Sequence, residues 1–161
     1  MPWQLYQATL ERRACKMAQV EYGFGQHLML DGYGCDREKL MDLNGIYDFL
    51  SRYPDEINMT KIMPPYVFKY SGKVPEDWGI SGFVLIAESH ISIHTFPDKL
   101  YLSLDIFSCK AFDADLAIKH IKEIFSIEKM EVKLLSRGHE FPKVIRSVQE
   151  FIKDERAHMT V

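Results

Sequence analysis

Between Gly82 and Phe107 the chain reads GFVLIAESHISIHTFPDKLYLSLDIF, and this run constrains the fold more than any other. Successive side chains on a strand point to opposite faces, so His90, Ser92, His94 and Phe96 share one face and Ile91, Ile93 and Thr95 the other. The isoleucines read as core. After Pro97 and Asp98 the alternation resumes, with Leu100, Leu102, Leu104 and Ile106 on one side. A Pro-Asp pair between two alternating segments makes a hairpin turn, which favours adjacent antiparallel strands over a crossover.

The flanking sequence supplies further strands and the helices that would cover them. QHLMLD, YVFKY and KMEVKLL read as strands, the last with Met130, Val132 and Leu134 on one side. CDREKLMDLNGIYDFLSRYP offers Asp36 as a helix N-cap, Leu40, Leu43, Tyr47 and Leu50 at helical spacing, and Pro54 as a stop. DADLAIKHIKEIFS repeats the pattern from Asp113, with Leu116, Ile121, Ile124 and Phe125 on one face. PKVIRSVQEFIKDERAH does so again from Pro142, with Val144, Val148, Phe151 and Ile152. The order of elements predicts an α+β fold, a two-layer sandwich with helices on one face of a mostly antiparallel sheet. No linker or repeat interrupts it, so residues 1–161 are expected to form a single domain.

Charge excludes some partners. With 20 Lys and Arg against 23 Asp and Glu, interspersed and summing to −3, the chain has no basic stripe of the kind nucleic acid requires. No run of roughly 18 uncharged apolar residues is present to span a membrane, and MPWQLYQATLERRACKMAQ lacks the continuous apolar core of a secretory signal. A cytoplasmic protein is expected. Three cysteines, Cys15, Cys35 and Cys109, without CxxC spacing, indicate neither a disulfide framework nor a zinc knuckle.

The polar face of the central run needs its own account. His90, His94 and Cys109 have the softness of zinc ligands. On a strand, however, the two histidines lie roughly 13 Å apart at about 3.3 Å per residue, so no metal is expected there. ESH lacks the glycines of a serine-hydrolase elbow. Read from the residues alone, a serine, a histidine and Cys109 converge at one end of the sheet, either as packed and mutually satisfied groups or as a site.

ISGFVLIAESHISIHTFPDKLYLSLDIFSC, residues 80–109, resembles the processing and active-site segment of the prokaryotic pyruvoyl-dependent S-adenosylmethionine decarboxylases. A looser likeness in GQHLMLDGYGCDREKL and in the helix after Asp113 extends it over most of the chain. The resemblance implies self-cleavage between Glu88 and Ser89, giving a 1–88 β chain and an 89–161 α chain. Ser89 would become a pyruvoyl group, the covalent cofactor that forms a Schiff base with the substrate amine. His94 would be the processing base, Ser81 would assist processing through its hydroxyl, and Glu88 would leave as a carboxylate. Cys109 would be the proton donor after carbon dioxide departs, a task that suits a thiol of pKa about 8.5. His90 is read as a neighbour of the scissile bond with no proton-transfer role.

The implied reaction consumes S-adenosylmethionine and supplies the aminopropyl donor for spermidine synthesis, in a homodimer of cleaved protomers with sites near the interface. The family motif usually ends in a glutamate that contacts the ribose hydroxyls; here the position is Asp98. KIMPPYVFKYSGKVPEDWG is also longer than in compact members. Tyr66, Phe68, Tyr70 and Phe96 are candidates to stack on adenine, or to pack as core. Two alternatives stand beside this reading: a pyruvoyl-dependent decarboxylase of ornithine or arginine, and a non-catalytic binding domain of the same fold.

Overall fold

The computed structural model describes residues 25–87 and 89–138. The helix expected from Pro142, the amino-terminal 24 residues and Glu88 lie outside the described residues. Seven strands form one sheet: β1 (Gly25–Tyr33), β2 (Thr60–Lys61), β3 (Tyr66–Tyr70), β4 (Gly79–Ala87), β5 (Ser89–Phe96), β6 (Tyr101–Ser108) and β7 (Lys129–Arg137). Their order is β2-β4-β5-β6-β1-β7, and β3 also pairs with β4. Every pairing is antiparallel. The β5–β6 hairpin turns through a short 3₁₀ segment at Pro97–Lys99 and closes on Leu100 in the left-handed region, φ 48°. The mostly antiparallel α+β sandwich expected from the sequence is the fold observed.

The alternation within β5 and β6 is realised. Ile91, Ile93, Leu102, Leu104 and Ile106 are buried with Leu28, Leu30, Val84 and Ile86, each contributing about 1.5–3 kcal/mol. Leu100 departs from the expected row. It occupies the turn and is exposed. Gly79 permits close contact at the start of β4: a Cβ there would stand 1.7 Å from the Thr95 carbonyl oxygen.

The helices differ from expectation in phase. The stretch after Asp36 forms two helices, α1 (Arg37–Met41) and α2 (Leu43–Glu56), with an extended residue, Asp42, between them. Asp42, Asn44 and Gly45 are poor helix formers, and they sit where the expected continuous helix breaks. Asp36 does cap α1, its carboxylate accepting from the N–H groups of Glu38 and Lys39. The break changes which residues face inward. Ile46, Phe49, Leu50 and Tyr53 are buried, while Leu43 and Tyr47 are exposed. Pro54 lies inside α2 rather than ending it.

Helix α3 (Ala114–Phe125) begins at the Asp113 cap as expected. It buries Ala117, Ile121 and Phe125, a strict four-residue spacing that leaves Leu116 and Ile124 at its flanks. The Tyr53 hydroxyl donates to the Ala117 carbonyl at 3.2 Å, and Phe49 meets Phe125 edge to face. These contacts join α2 to α3 over the inward face of the sheet. On the edge strand β7, Val132 and Leu134 align with the inward row but remain exposed.

Candidate active site

The opposite, open face of the sheet carries the polar residues of the central run. Register aligns Ser81 with His94 across β4 and β5, and Ser81 Oγ lies 2.9 Å from His94 Nδ1. Both β4 and β5 alternate, so inward Ile80 and Thr95 flank this couple and hold it. The Thr95 hydroxyl, 1% exposed, accepts from the Ile80 N–H at 3.0 Å and donates to the Leu40 carbonyl at 2.8 Å. One buried hydroxyl thus ties both strands to the end of α1.

Ser89 stands at the other end of β5, directly after the chain reverses, with Ile86 as its partner on β4. Its φ is 148°, a region that glycine enters freely and that costs another residue on the order of 1–3 kcal/mol. Cutting the chain at this serine would release that strain. Across the ladder Ser89 faces Ser108, and Cys109 follows at once. The fully buried Ser108 shapes the turn that presents the half-buried Cys109. Its Oγ accepts from the Lys110 N–H at 3.0 Å and donates to the Lys110 carbonyl at 2.8 Å. Gly25 lets β1 lie against this turn, since a Cβ there would come 2.7 Å from Cys109 Cα. Ser108 and Gly25 were not singled out in the sequence, where the only hint is the adjacency of Ser108 to Cys109.

Ser89 and Cys109 therefore share one end of the sheet, whereas His94 and Ser81 do not join them there. Five residues of extended chain separate Ser89 from His94, about 16 Å at roughly 3.3 Å per residue. The histidine beside Ser89 is His90, which packs edge to face on Phe107. Burial, with His27 nearby, lowers the His90 pKa and favours its neutral form. Between the two ends lies a polar cluster. Asp105 is 3.3 Å from His27 Nε2 and accepts from the Ser92 hydroxyl at 3.4 Å.

Asp98 lies on the β5–β6 turn beyond His94, and both its oxygens are engaged. Oδ1 accepts from Arg37 Nη2 at 2.7 Å and Oδ2 from Trp78 Nε1 at 2.5 Å. The Arg37 bond, and then that from Trp78, holds the Asp98 carboxyl below the usual carboxylate range. Neither partner was foreseen: Arg37 is 61 residues away in sequence and Trp78 is 20. Of the aromatic candidates, Tyr66, Phe68 and Tyr70 are exposed. Phe96, on the same face as His94, packs against Tyr101. The other described cysteine, Cys35, is buried, and burial pushes its thiol up to about 11.

An antiparallel α+β sheet with a serine–histidine couple on its open side, and a strained serine beside a thiol at one end, defines a recognisable class of protein. A family model for S-adenosylmethionine decarboxylase matches residues 26–138. A Clostridium botulinum S-adenosylmethionine decarboxylase proenzyme is 35% identical over 115 residues, covering 71% of this chain and 94% of that protein. The Pyrococcus furiosus protein of the same name is 37% identical over 117 residues, covering 72% of this chain and 80% of the relative. The crystal structure of the adenosylmethionine decarboxylase from Aquifex aeolicus superposes with a TM-score of 0.58 at 29% identity, covering 72% of this chain and 92% of that one. The chain belongs to the S-adenosylmethionine decarboxylase family.

Proposed function

We propose that this chain is a proenzyme that cuts itself between Glu88 and Ser89 and then decarboxylates S-adenosylmethionine, yielding the aminopropyl donor used in spermidine synthesis. The observation that carries this reading is the Ser81–His94 couple, a hydroxyl and an imidazole held 2.9 Å apart on the open face. In processing, Ser89 Oγ attacks the Glu88 carbonyl, forming an ester as the peptide C–N bond breaks and the Ser89 amine is freed. A base, His94, removes the Ser89 α-proton; the Cβ–O bond breaks and Glu88 departs as a carboxylate. Water then replaces the nitrogen, ammonia leaves, and residue 89 is a pyruvoyl group. The strained φ of Ser89 supports cleavage at this bond, and the adjacent thiol fits a site where a carbanion must be quenched.

A pyruvoyl group formed at residue 89 would supply an electrophilic carbonyl for the substrate α-amine and an electron sink for the loss of carbon dioxide. Cys109 then returns a proton from Sγ to the substrate carbon. Asp98 receives the ribose hydroxyls.

A second copy completes the site. Because His94 stands about 16 Å along β5 from the serine it must serve, the base acts on Ser89 of a partner protomer. The open face supports such packing: it carries exposed Phe83 and Leu85, while α2 and α3 cover the opposite side. Among the described residues, the cleft of about 470 Å³ beside Lys110 and Phe112 is lined by neither Ser89, His94 nor Asp98. The working unit is a homodimer of cleaved protomers in the cytoplasm; no helix among the described residues is long and apolar enough to cross a membrane. Intact mass after incubation tests the reading: two fragments, 1–88 and a blocked 89–161, and release of carbon dioxide from S-adenosylmethionine are expected. A wild-type chain that stays whole would overturn it.

A further inference from the structure

Asp98 is already committed when it meets a ligand. Arg37 holds one of its oxygens and Trp78 the other, and more positive charge surrounds them. Lys69 Nζ lies 4.5 Å above the centre of the Trp78 ring, and Lys99 pairs with Asp77 next door. Three cations thus stand against two carboxylates. Asp98 nevertheless stays within reach of solvent, its side chain 32% exposed and that of Arg37 46%.

An ionised carboxylate has about four lone-pair positions, two on each oxygen. With one donor on each oxygen, one position per oxygen is left. That remainder suits two neutral O–H donors on adjacent carbons. A guanidinium or ammonium ligand would instead meet a carboxylate whose charge Arg37 has matched, with further cations close by, and like charges repel. The indole N–H adds direction: it fixes the rotation of a carboxylate that Arg37 alone would leave free to turn.

We infer that Arg37 and Trp78 are positioning residues that set the substrate class at Asp98, selecting a vicinal diol and excluding cationic amino-acid side chains. This rests on the reading of Asp98 as a substrate contact. Arg37 enters the site because the Asp36 cap starts α1 there, and Trp78 because β4 begins one residue later. The long stretch ending in EDWG therefore has a use in the site: it delivers the second donor.

The test uses full-length, self-processed enzyme and the variants Arg37→Met, Arg37→Lys, Trp78→Phe and Asp98→Asn. The readouts are kcat and KM for S-adenosylmethionine and inhibition by L-arginine and L-ornithine. Intact mass reports whether each variant folds well enough to cleave. Arg37→Met should raise KM about five- to tenfold, more than it lowers kcat, and should admit L-arginine as a competitor. Arg37→Lys should restore most of the affinity, and Trp78→Phe should raise KM roughly threefold. An unchanged KM in both Arg37→Met and Trp78→Phe, beside a raised KM in Asp98→Asn, overturns the positioning role and leaves the Asp98 contact standing. An unchanged KM in Asp98→Asn removes that contact and this inference with it. Should Arg37→Met fail to cleave, Trp78→Phe decides by the same criterion.

Discussion

Ser81 and His94 meet across the β4–β5 ladder at 2.9 Å, yet the serine they are proposed to act on begins the same strand five residues before His94. The couple and its target are locked apart by the rigidity of a paired strand. If catalysis is shared between copies, two differently disabled chains should repair each other. Ser89→Ala and His94→Ala, each uncut alone, are expected to yield a cleaved His94→Ala chain when co-expressed, because its Ser89 meets the partner's intact base. Mass spectrometry of the mixture reads the outcome. Absence of cleavage despite mixed dimers would place the base within the chain.

The two described cysteines should behave differently. Burial raises the Cys35 thiol to about 11, so it is neither ionised nor accessible at pH 8, whereas Cys109 is half-buried at the end of β6. Iodoacetamide is expected to modify Cys109 far faster than Cys35. Cys109→Ala should still cut itself but lose at least about 100-fold in turnover, the usual scale of a proton-transfer residue. Peptide mapping and a carbon dioxide release assay measure the two effects.

The Arg37–Asp98 pair should have an acid limit. Its bonds lower the folded-state pKa of Asp98, so the stabilisation is fully present above the unfolded carboxyl value of about 3.9 and is lost as pH falls through the folded value. The melting temperature of the wild type should exceed that of Arg37→Met at pH 7, and the gap should narrow by pH 3. The pair is largely exposed, so the gap is expected to be small. A gap that widens on acidification would contradict the assignment.

Thr95 joins three elements through one hydroxyl. Thr95→Val keeps the shape but strands the buried Ile80 N–H and removes a donor from the Leu40 carbonyl, which should cost roughly 1–3 kcal/mol. Urea unfolding reads this directly. Because Ile80 and Thr95 flank the Ser81–His94 couple, self-cleavage should slow in the same variant.

The sheet was legible because its signal is local. Ile91, Ile93, Leu102 and Leu104 declare their face through a period of two, and Pro97 with Asp98 declares the turn. The helix faces were less legible. Leu43 and Tyr47 have helical spacing with Leu40, but Asp42 interrupts the helix, and the true face is shifted to Ile46, Phe49 and Tyr53. The short strand β2 is two residues long and carries no period at all. In the site, the family resemblance offered Ser81, Ser89, His94 and Cys109 as candidates, and the residues alone put a serine, a histidine and Cys109 at one end of the sheet, where Ser89, His90 and Cys109 do lie. Only register reveals that the serine–histidine couple occupies the other. The donors to Asp98 come from separate segments, and no pattern in a single stretch announces them.

The spacing along β5 has a consequence for the life of the newly made chain. If His94 is the processing base, a protomer that holds it a full strand-length from its own Glu88–Ser89 bond would be protected from cutting itself while it folds or travels alone. Maturation then becomes a two-body event, slow in dilute solution and fast once copies find each other, and the missing bond becomes a permanent record that the encounter took place. In such a scheme the enzyme gains its reactive carbonyl only after quality control by its own twin, so a misfolded or orphaned chain never acquires the electrophile.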